Sequence, residues 1–402
     1  MKRKMWLIPL ALLLITSLVA CATPAPAPAP APAPLPGPAG QPGATGATGA
    51  TGAPGAPGAP APVPAPAPGP TPENPITWIF ASNIDPSGWY GDKAVVPFLE
   101  QIEAATDGRV KIKAYWNNSL MNVADAVEAT RSGLCDFTIA PIGYTPGIFL
   151  YTEALNLPFL PTPSCAAHSG TSYKAYEEIP GMRSEFEDLG LKVLAFANVS
   201  PYIVQTSPAA GPIKVLADWK GKKMRTLGGP PTDGVTLLGG APLYVPMGDV
   251  YTAVERGTLD GGNFVWEVVV SWAFAEIMQY FTEVNVNSGT QPMIMNLDSF
   301  NSLPQDIQDA IMSVAGAKGS EFLGRESMDN VRGPALEVLK EFEGKGYGPY
   351  EVYTPPQEEI DLWIATGGKP VWDKWVTDML ANGYPEAQDM IDAINKFSKE
   401  YP

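Results

Sequence analysis

The sequence predicts an α/β protein built in two lobes, and three observations carry that expectation. From residue 76 onward, short runs of β-branched and aromatic residues alternate with helix-like stretches, the pattern of α/β architecture. The stretch from there to residue 402 exceeds what one hydrophobic core organises, so it should divide into two lobes. Residues 22–75, by contrast, are low in complexity, which sets an ordered body apart from the N-terminus.

The first residues read as an address. Lys2, Arg3 and Lys4 form a basic start, and Met5 to Val19 is an apolar stretch shorter than the ~20 residues that span a bilayer. Leu18-Val19-Ala20-Cys21 follows and resembles a bacterial lipobox. The resemblance implies a signal peptide over 1–20, cleavage before Cys21 and diacylglycerol on its sulfur; the plainer alternative is an ordinary signal with an incidental cysteine. Residues 21–75 are then the lipidated cysteine and a disordered tether rich in Pro, Ala and Gly. Pro and Ala alternate from Pro24 to Pro34, and glycine recurs every third residue from Gly37 to Gly58. Collagen has that period, but the run is short and has little proline at the second position. At a rise of ~3.1 Å per residue the tether reaches at most ~170 Å.

The body opens with a strand at Ile76–Ser82 and a helix from about Asp92 to Thr106 that stops at Asp107-Gly108. A strand at Val110–Tyr115, a helix at Val123–Ser132 closed by Gly133, and a strand at Cys135–Ala140 come next. Further strands are expected at Lys192–Ala197, Tyr202–Thr206, Lys222–Thr226 and Leu243–Pro246. Helices fit Thr232–Leu238, Gly248–Arg256 and one long run from Gln305 to about Phe342. The formal net charge of −16 disfavours nucleic acid and anionic membrane surfaces as partners. It leaves room for an anionic ligand, because one buried arginine sets the local field. Cys135 sits in an apolar run and Cys165 in a Pro/Ser loop; a disulfide between them depends on geometry that spacing does not supply.

One segment stands out chemically. In Asp218-Trp-Lys-Gly-Lys-Lys-Met-Arg225 a turn leads into a short strand with Arg225 near its carboxyl end, and Gly228-Gly229-Pro230-Pro231 opens a helix. Ligands of open α/β sheets bind beyond the carboxyl ends of strands, where an arginine can grip a carboxylate through two parallel hydrogen bonds. A surface arginine fits the same spacing.

The segment resembles the Asp-Leu-Lys-Gly-Leu-Lys-Ile-Arg stretch of the solute-binding proteins of TRAP transporters, the DctP family. The likeness continues through Leu238-Gly-Gly-Ala-Pro-Leu-Tyr-Val-Pro-Met247 and Asp249-Val-Tyr-Thr-Ala-Val-Glu-Arg-Gly-Thr-Leu-Asp-Gly261. Ala126–Asp136, Leu155-Asn-Leu-Pro-Phe-Leu160 and Leu303-Pro304 also fit, so the resemblance covers about 76–345. It implies a two-lobed flytrap of the periplasmic-binding-protein kind (type II-like) with a long helical C-terminal region. Lobe I would be 76–201 with about 286–330, lobe II 202–285, and about 331–402 would be helices packing on both. The implied function is extracytoplasmic capture of a small organic acid, its carboxylate held by Arg225, for delivery to TRAP membrane permease subunits. No cofactor is expected.

Two departures narrow the ligand. Where many family members carry glutamate after the Asp-Gly pair, this chain has Asn263 in Gly262-Asn263-Phe264, and members that bridge the acid through a cation use that glutamate. No metal is therefore expected. The strand at Tyr202-Ile-Val-Gln-Thr lacks the second arginine of members that bind sugar acids. Arg225 with Phe264, Asn263, Met247, Tyr202 and Trp266 points to a monocarboxylate with an apolar or aromatic body. Trp89 and Tyr144 follow expected strands and fit either a cleft lining or a core cap. Phe264 and Met247 fit plain core equally well. Arg131 and Arg256 suit helix C-termini, and Asp136 and Asp260 read as structural. His168 is the only histidine, and no Gly-x-Ser-x-Gly, His-Glu-x-x-His or Gly-Lys-Ser/Thr motif occurs, so a periplasmic enzyme is the weaker alternative. A binding protein that feeds a sensory receptor is the other.

Overall fold

The protein is described by a computed structural model over residues 69–401. The signal segment, Cys21 and nearly all of the tether lie outside the described residues. In chain order the strands are β1 (Ile76–Ala81), β2 (Val110–Tyr115), β3 (Phe137–Ile139), β4 (Leu191–Phe196), β5 (Val199–Thr206) and β6 (Lys223–Thr226). They continue as β7 (Ala241–Tyr244), β8 (Gly261–Phe264), β9 (Tyr280–Gly289), β10 (Pro292–Asn296) and β11 (Glu351–Tyr353).

These strands make two sheets, one per lobe. The first has the order β2-β1-β3-β10-β4, with β10 antiparallel to both neighbours inside an otherwise parallel set. The second has the order β11-β9-β5-β8-β6-β7. The chain passes from the first sheet to the second between β4 and β5, returns between β9 and β10, and passes over a third time before β11. The first two crossings lie side by side and form a hinge on which two rigid sheets can swing.

Local signals explain most elements. Helix Val96–Ala105, preceded by a wider turn at Gly91–Val95, buries Phe98, Leu99 and Ile102 and ends where Asp107 and Gly108 take positive φ. β1 and β2 pair in parallel from Ile76↔Val110 to Ala81↔Tyr115. The expected strand at 243–246 is displaced toward its N-terminus as β7, where Leu243 pairs with Arg225.

The long helix expected from Gln305 breaks. Helices Gln305–Val314 and Gly316–Gly324 are separated by Ala315, a wider turn follows at Arg325–Asp329, and Arg332–Gly344 is a separate helix. Gly316 adopts φ 65°, a conformation that ends a regular helix. A Cβ on Gly319 would lie 2.8 Å from the Phe98 ring, so that helix runs very close to its neighbours.

Cys165 is not in a loop. Ser164 accepts a hydrogen bond from Ala167 N (3.1 Å) and caps helix Cys165–Glu178, whose residues are nearly all buried. Cys135 and Cys165 are separate free thiols, both buried, so there is no disulfide between them. The Cys165 thiol donates to Asn198 O, and burial pushes its pKa up to about 12.

The C-terminal helices touch both lobes. The Trp363 ring meets Trp219 edge-on at 5.5 Å, while helix Ala387–Phe397 packs against helix Cys165–Glu178. No helix among the described residues is long and apolar enough to cross a membrane.

Candidate functional site

Between the sheets lies a cavity of about 660 Å³, within the ~300–1,000 Å³ usual for small-molecule sites. One wall comes from loops after β1 and β3, around Trp89 and Tyr144; the other comes from β5, β6, β8 and the end of β9 with the residues just after it. Gly228 and Gly229, at φ 98° and 64°, turn the chain from β6 into helix Pro230–Leu237. That turn leaves Arg225 facing the cavity from the end of its strand. Opposite, Gly143 comes so near Leu227 that a Cβ on it would lie 3.2 Å from the leucine Cβ. The two lobes therefore meet at the rim.

Arg225 is 5% exposed. Its Nε donates to Val245 O at 3.0 Å, and its guanidinium carbon lies 5.7 Å from the centre of the Phe264 ring. It forms no salt bridge with any carboxylate among the described residues. Burial lowers its pKa from the ordinary value, but arginine starts so high that the charge persists. Gly262 pairs with Arg225 across β8 and β6; a Cβ there would come within 2.9 Å of the arginine Cβ and 2.6 Å of the Phe264 ring. A side chain at 262 would thus push apart the arginine and the ring that supports it.

Tyr202, Tyr144, Met247, Trp89 and Asn263 join Arg225 on the cavity wall. Burial drives Tyr202 up to about 12, so it stays neutral. Asn263 is buried with an Oδ1 that no described group donates to. Trp89 is fixed through Nε1, which donates to Ser327 O at 2.8 Å.

Phe264 and Trp266 do not reach the cavity. Phe264 lies beneath the guanidinium, edge-on to Phe274 at 5.0 Å. The Trp266 ring stacks on Phe281 at 5.0 Å and its Nε1 donates to Glu283 Oε1 at 3.2 Å. Strand alternation puts Val265 on the wall and turns its neighbours away from it.

The remaining polar candidates serve the scaffold. Asp136 accepts from Ile79 N and Ser299 Oγ, both at 2.7 Å, and Asp260 accepts from Lys223 N at 2.8 Å. Arg131 bridges to Glu128 at 2.8 Å. His168 is fully buried, with Nε2 3.0 Å from Leu155 O.

Several wall residues escaped the sequence reading. Asn156 accepts from Thr290 N at 2.8 Å and ties together two wall segments. Asn287, Ser288 and Gln291 follow from β9 and its exit, which no sequence signal marked. Glu267 is the one with a legible signal, a lone carboxylate in Phe264-Val-Trp-Glu-Val-Val-Val270.

The cavity lining includes no histidine, cysteine or lysine. Among the described residues no group of three or more His, Cys, Asp or Glu is placed to hold a metal ion. What the arrangement offers is a fixed buried cation between flat aromatic walls, the means to hold an anion out of water.

Known proteins share this design. The family described as bacterial extracellular solute-binding protein, family 7 (DctP), matches residues 80–378. The 2,3-diketo-L-gulonate-binding periplasmic protein of Escherichia coli K12 is 24% identical over 310 residues, covering 75% of this chain and 87% of that protein. A TRAP periplasmic solute-binding protein from Bordetella bronchiseptica, with bound (R)- and (S)-mandelate, superposes with a TM-score of 0.71 at 26% identity, covering 82% of this chain and 100% of that one. A TRAP solute-binding protein from Rhodoferax ferrireducens with copurified benzoate gives a TM-score of 0.72 at 24% identity, over 81% of this chain and 98% of its own. With a family match spanning most of the body and a cleft built around one buried arginine, this chain belongs to the DctP family of bacterial extracellular solute-binding proteins, the ligand-capturing component of TRAP transporters.

Proposed function

We propose that the protein captures a small organic acid in the cleft, with the carboxylate paired to Arg225, and presents it to TRAP membrane permease subunits. The observation that carries this is the state of Arg225: a guanidinium 5% exposed, open to a cavity of about 660 Å³, with no carboxylate of its own. A buried cation without a counter-ion is costly, and a ligand carboxylate supplies the missing partner. The acids in the related structures, mandelate and benzoate, are aromatic monocarboxylates, which suits a wall of Tyr202, Tyr144, Trp89 and Met247.

Closure of lobe I (76–201 with about 286–330) on lobe II (202–285), with the 331–402 helices lying on both, gives the permease a loaded shape to distinguish from the empty one. Cys21 carries the lipid that holds the tether and body at the membrane. The protein acts by binding and release, without catalysis.

A thermal-shift screen of the purified body against mono-, di- and keto-acids tests the ligand class, since a bound ligand raises the melting temperature by mass action. Benzoate or mandelate should raise it. A rise with neutral sugars and none with any acid would overturn the proposal.

A further inference from the structure

The cavity holds a second charged side chain that the acid-binding reading leaves without a task. Glu267 follows β8 by three residues, begins the short helix Glu267–Ser271 and is 7% exposed on the cavity wall. None of the ion pairs among the described residues includes it; burial raises its pKa from the ordinary value, and the Ser271 hydroxyl one turn on opposes that. Three nearby donors have partners of their own. Tyr90 Oη donates to Ala197 O at 2.6 Å, Trp89 Nε1 to Ser327 O at 2.8 Å, and Trp266 Nε1 to Glu283 at 3.2 Å. The other carboxylate on the wall, Asp85, is already satisfied by the backbone N–H and hydroxyl of Ser87, at 2.9 and 2.8 Å. Asn287, also more than nine-tenths buried on the wall, has an Oδ1 that no described group donates to.

The cavity wall therefore has two poles of opposite charge, Arg225 and Glu267, which no ion pair among the described residues joins. Burying a carboxyl with so few partners is unfavourable unless something else fills its hydrogen-bonding capacity. The cavity side is where that partner can come from.

We infer that Glu267 is a ligand-contacting specificity residue, and that the acid bound by Arg225 carries a hydrogen-bond donor, a hydroxyl or an ammonium, on the part remote from its carboxylate. The inference rests on the acid-binding reading and narrows it: a plain hydrocarbon acid fills one pole and leaves the other unsatisfied.

The test is calorimetric titration of the purified body with matched sets: benzoate, 3-hydroxybenzoate and 3-(aminomethyl)benzoate, and pentanoate with its 5-hydroxy and 5-amino forms. In at least one set a substituted acid should bind ~10- to 100-fold tighter than its parent, the gain expected of a hydrogen bond to a charged group. Glu267→Gln and Glu267→Leu should each cut that advantage to under ~3-fold. A tighter amino form assigns the donor as ammonium, and a tighter hydroxy form as hydroxyl. Parents that bind the wild type as well as their substituted forms overturn the inference without needing any variant, as does an advantage that survives in Glu267→Leu. If no acid of either set binds, while a neutral sugar does, the acid-binding reading itself falls.

Discussion

Replacing Arg225 by methionine separates the two things a buried arginine can do. In the empty protein the guanidinium has one described hydrogen bond, to Val245 O, and rests against the Phe264 ring. An apolar chain of similar length removes an unpaired buried charge, so the empty variant should be as stable as the wild type or more stable by about 1–2 kcal/mol. Ligand binding moves the other way, because breaking a buried charge pair costs about 2–5 kcal/mol. At a ligand concentration 100 times its Kd the wild type gains about 2.7 kcal/mol. For a body of roughly 330 residues, with an unfolding entropy of ~2.1 cal/mol/K per residue, that is a rise in Tm of about 4 °C. A loss of ~3 kcal/mol raises Kd about 150-fold, which leaves ~0.3 kcal/mol of stabilisation and a shift under ~1 °C. Differential scanning fluorimetry with and without the best acid reads both numbers. A variant that keeps the full ligand shift refutes the clamp. A drop of more than about 4 °C in the empty variant assigns Arg225 to the scaffold instead.

Other expectations test the frame around the site. Gly143→Trp puts a ring where Gly143 meets Leu227 at the rim; it should hold the lobes apart and weaken acid binding by at least ~10-fold in calorimetry, with Tm within ~2 °C of wild type. His168 has its pKa lowered to about 4 by burial, so the unfolded chain takes up a proton that the folded chain refuses. Its contribution is complete above pH ~6.5 and is lost as pH falls toward 4, by up to about 3 kcal/mol. The difference in urea midpoint between wild type and His168→Gln should therefore change across that window, and a constant difference would refute the assignment. Cys135 and Cys165 are buried free thiols, so Ellman's reagent should label neither in the native body and both after denaturation, with no reductant needed.

Much of the fold was legible because its elements expose one face and bury the other. The ends of β2, the stop at Asp107-Gly108 and the strand–turn–helix around Arg225 follow from local chemistry alone. What stayed hidden lacks that asymmetry. Helix Cys165–Glu178 is buried nearly all round, with small and polar residues scattered along it, so it has no apolar stripe to read. β8 is Gly-Gly-Asn-Phe, with little strand propensity; it exists because Gly261 and Gly262 let β5 and β6 approach from either side. The same logic divides the site. The place of Arg225 at a strand end fitted a surface arginine equally, and the family resemblance gave it a role; the same resemblance, with their chemical type, assigned Phe264 and Trp266 to the cleft. Their backbone directions turn them into the packing behind it. Glu267 was visible in the sequence as one charge in an apolar run, but only the cavity wall gives that charge a meaning.

The place of β10 also governs how the chain can fold. It sits between β3 and β4, yet β5 to β9 intervene in the sequence before it. A chain emerging from its N-terminus reaches residue 196 with two facing strand edges unfilled, and they stay so until residues 292–296 are available. The second sheet has no such wait for β5 to β9, which are contiguous, so it can form first and then deliver β10 into the gap. The first lobe is then the late partner in assembly, and its waiting edges are where a holding chaperone, or an aggregation partner, would find purchase.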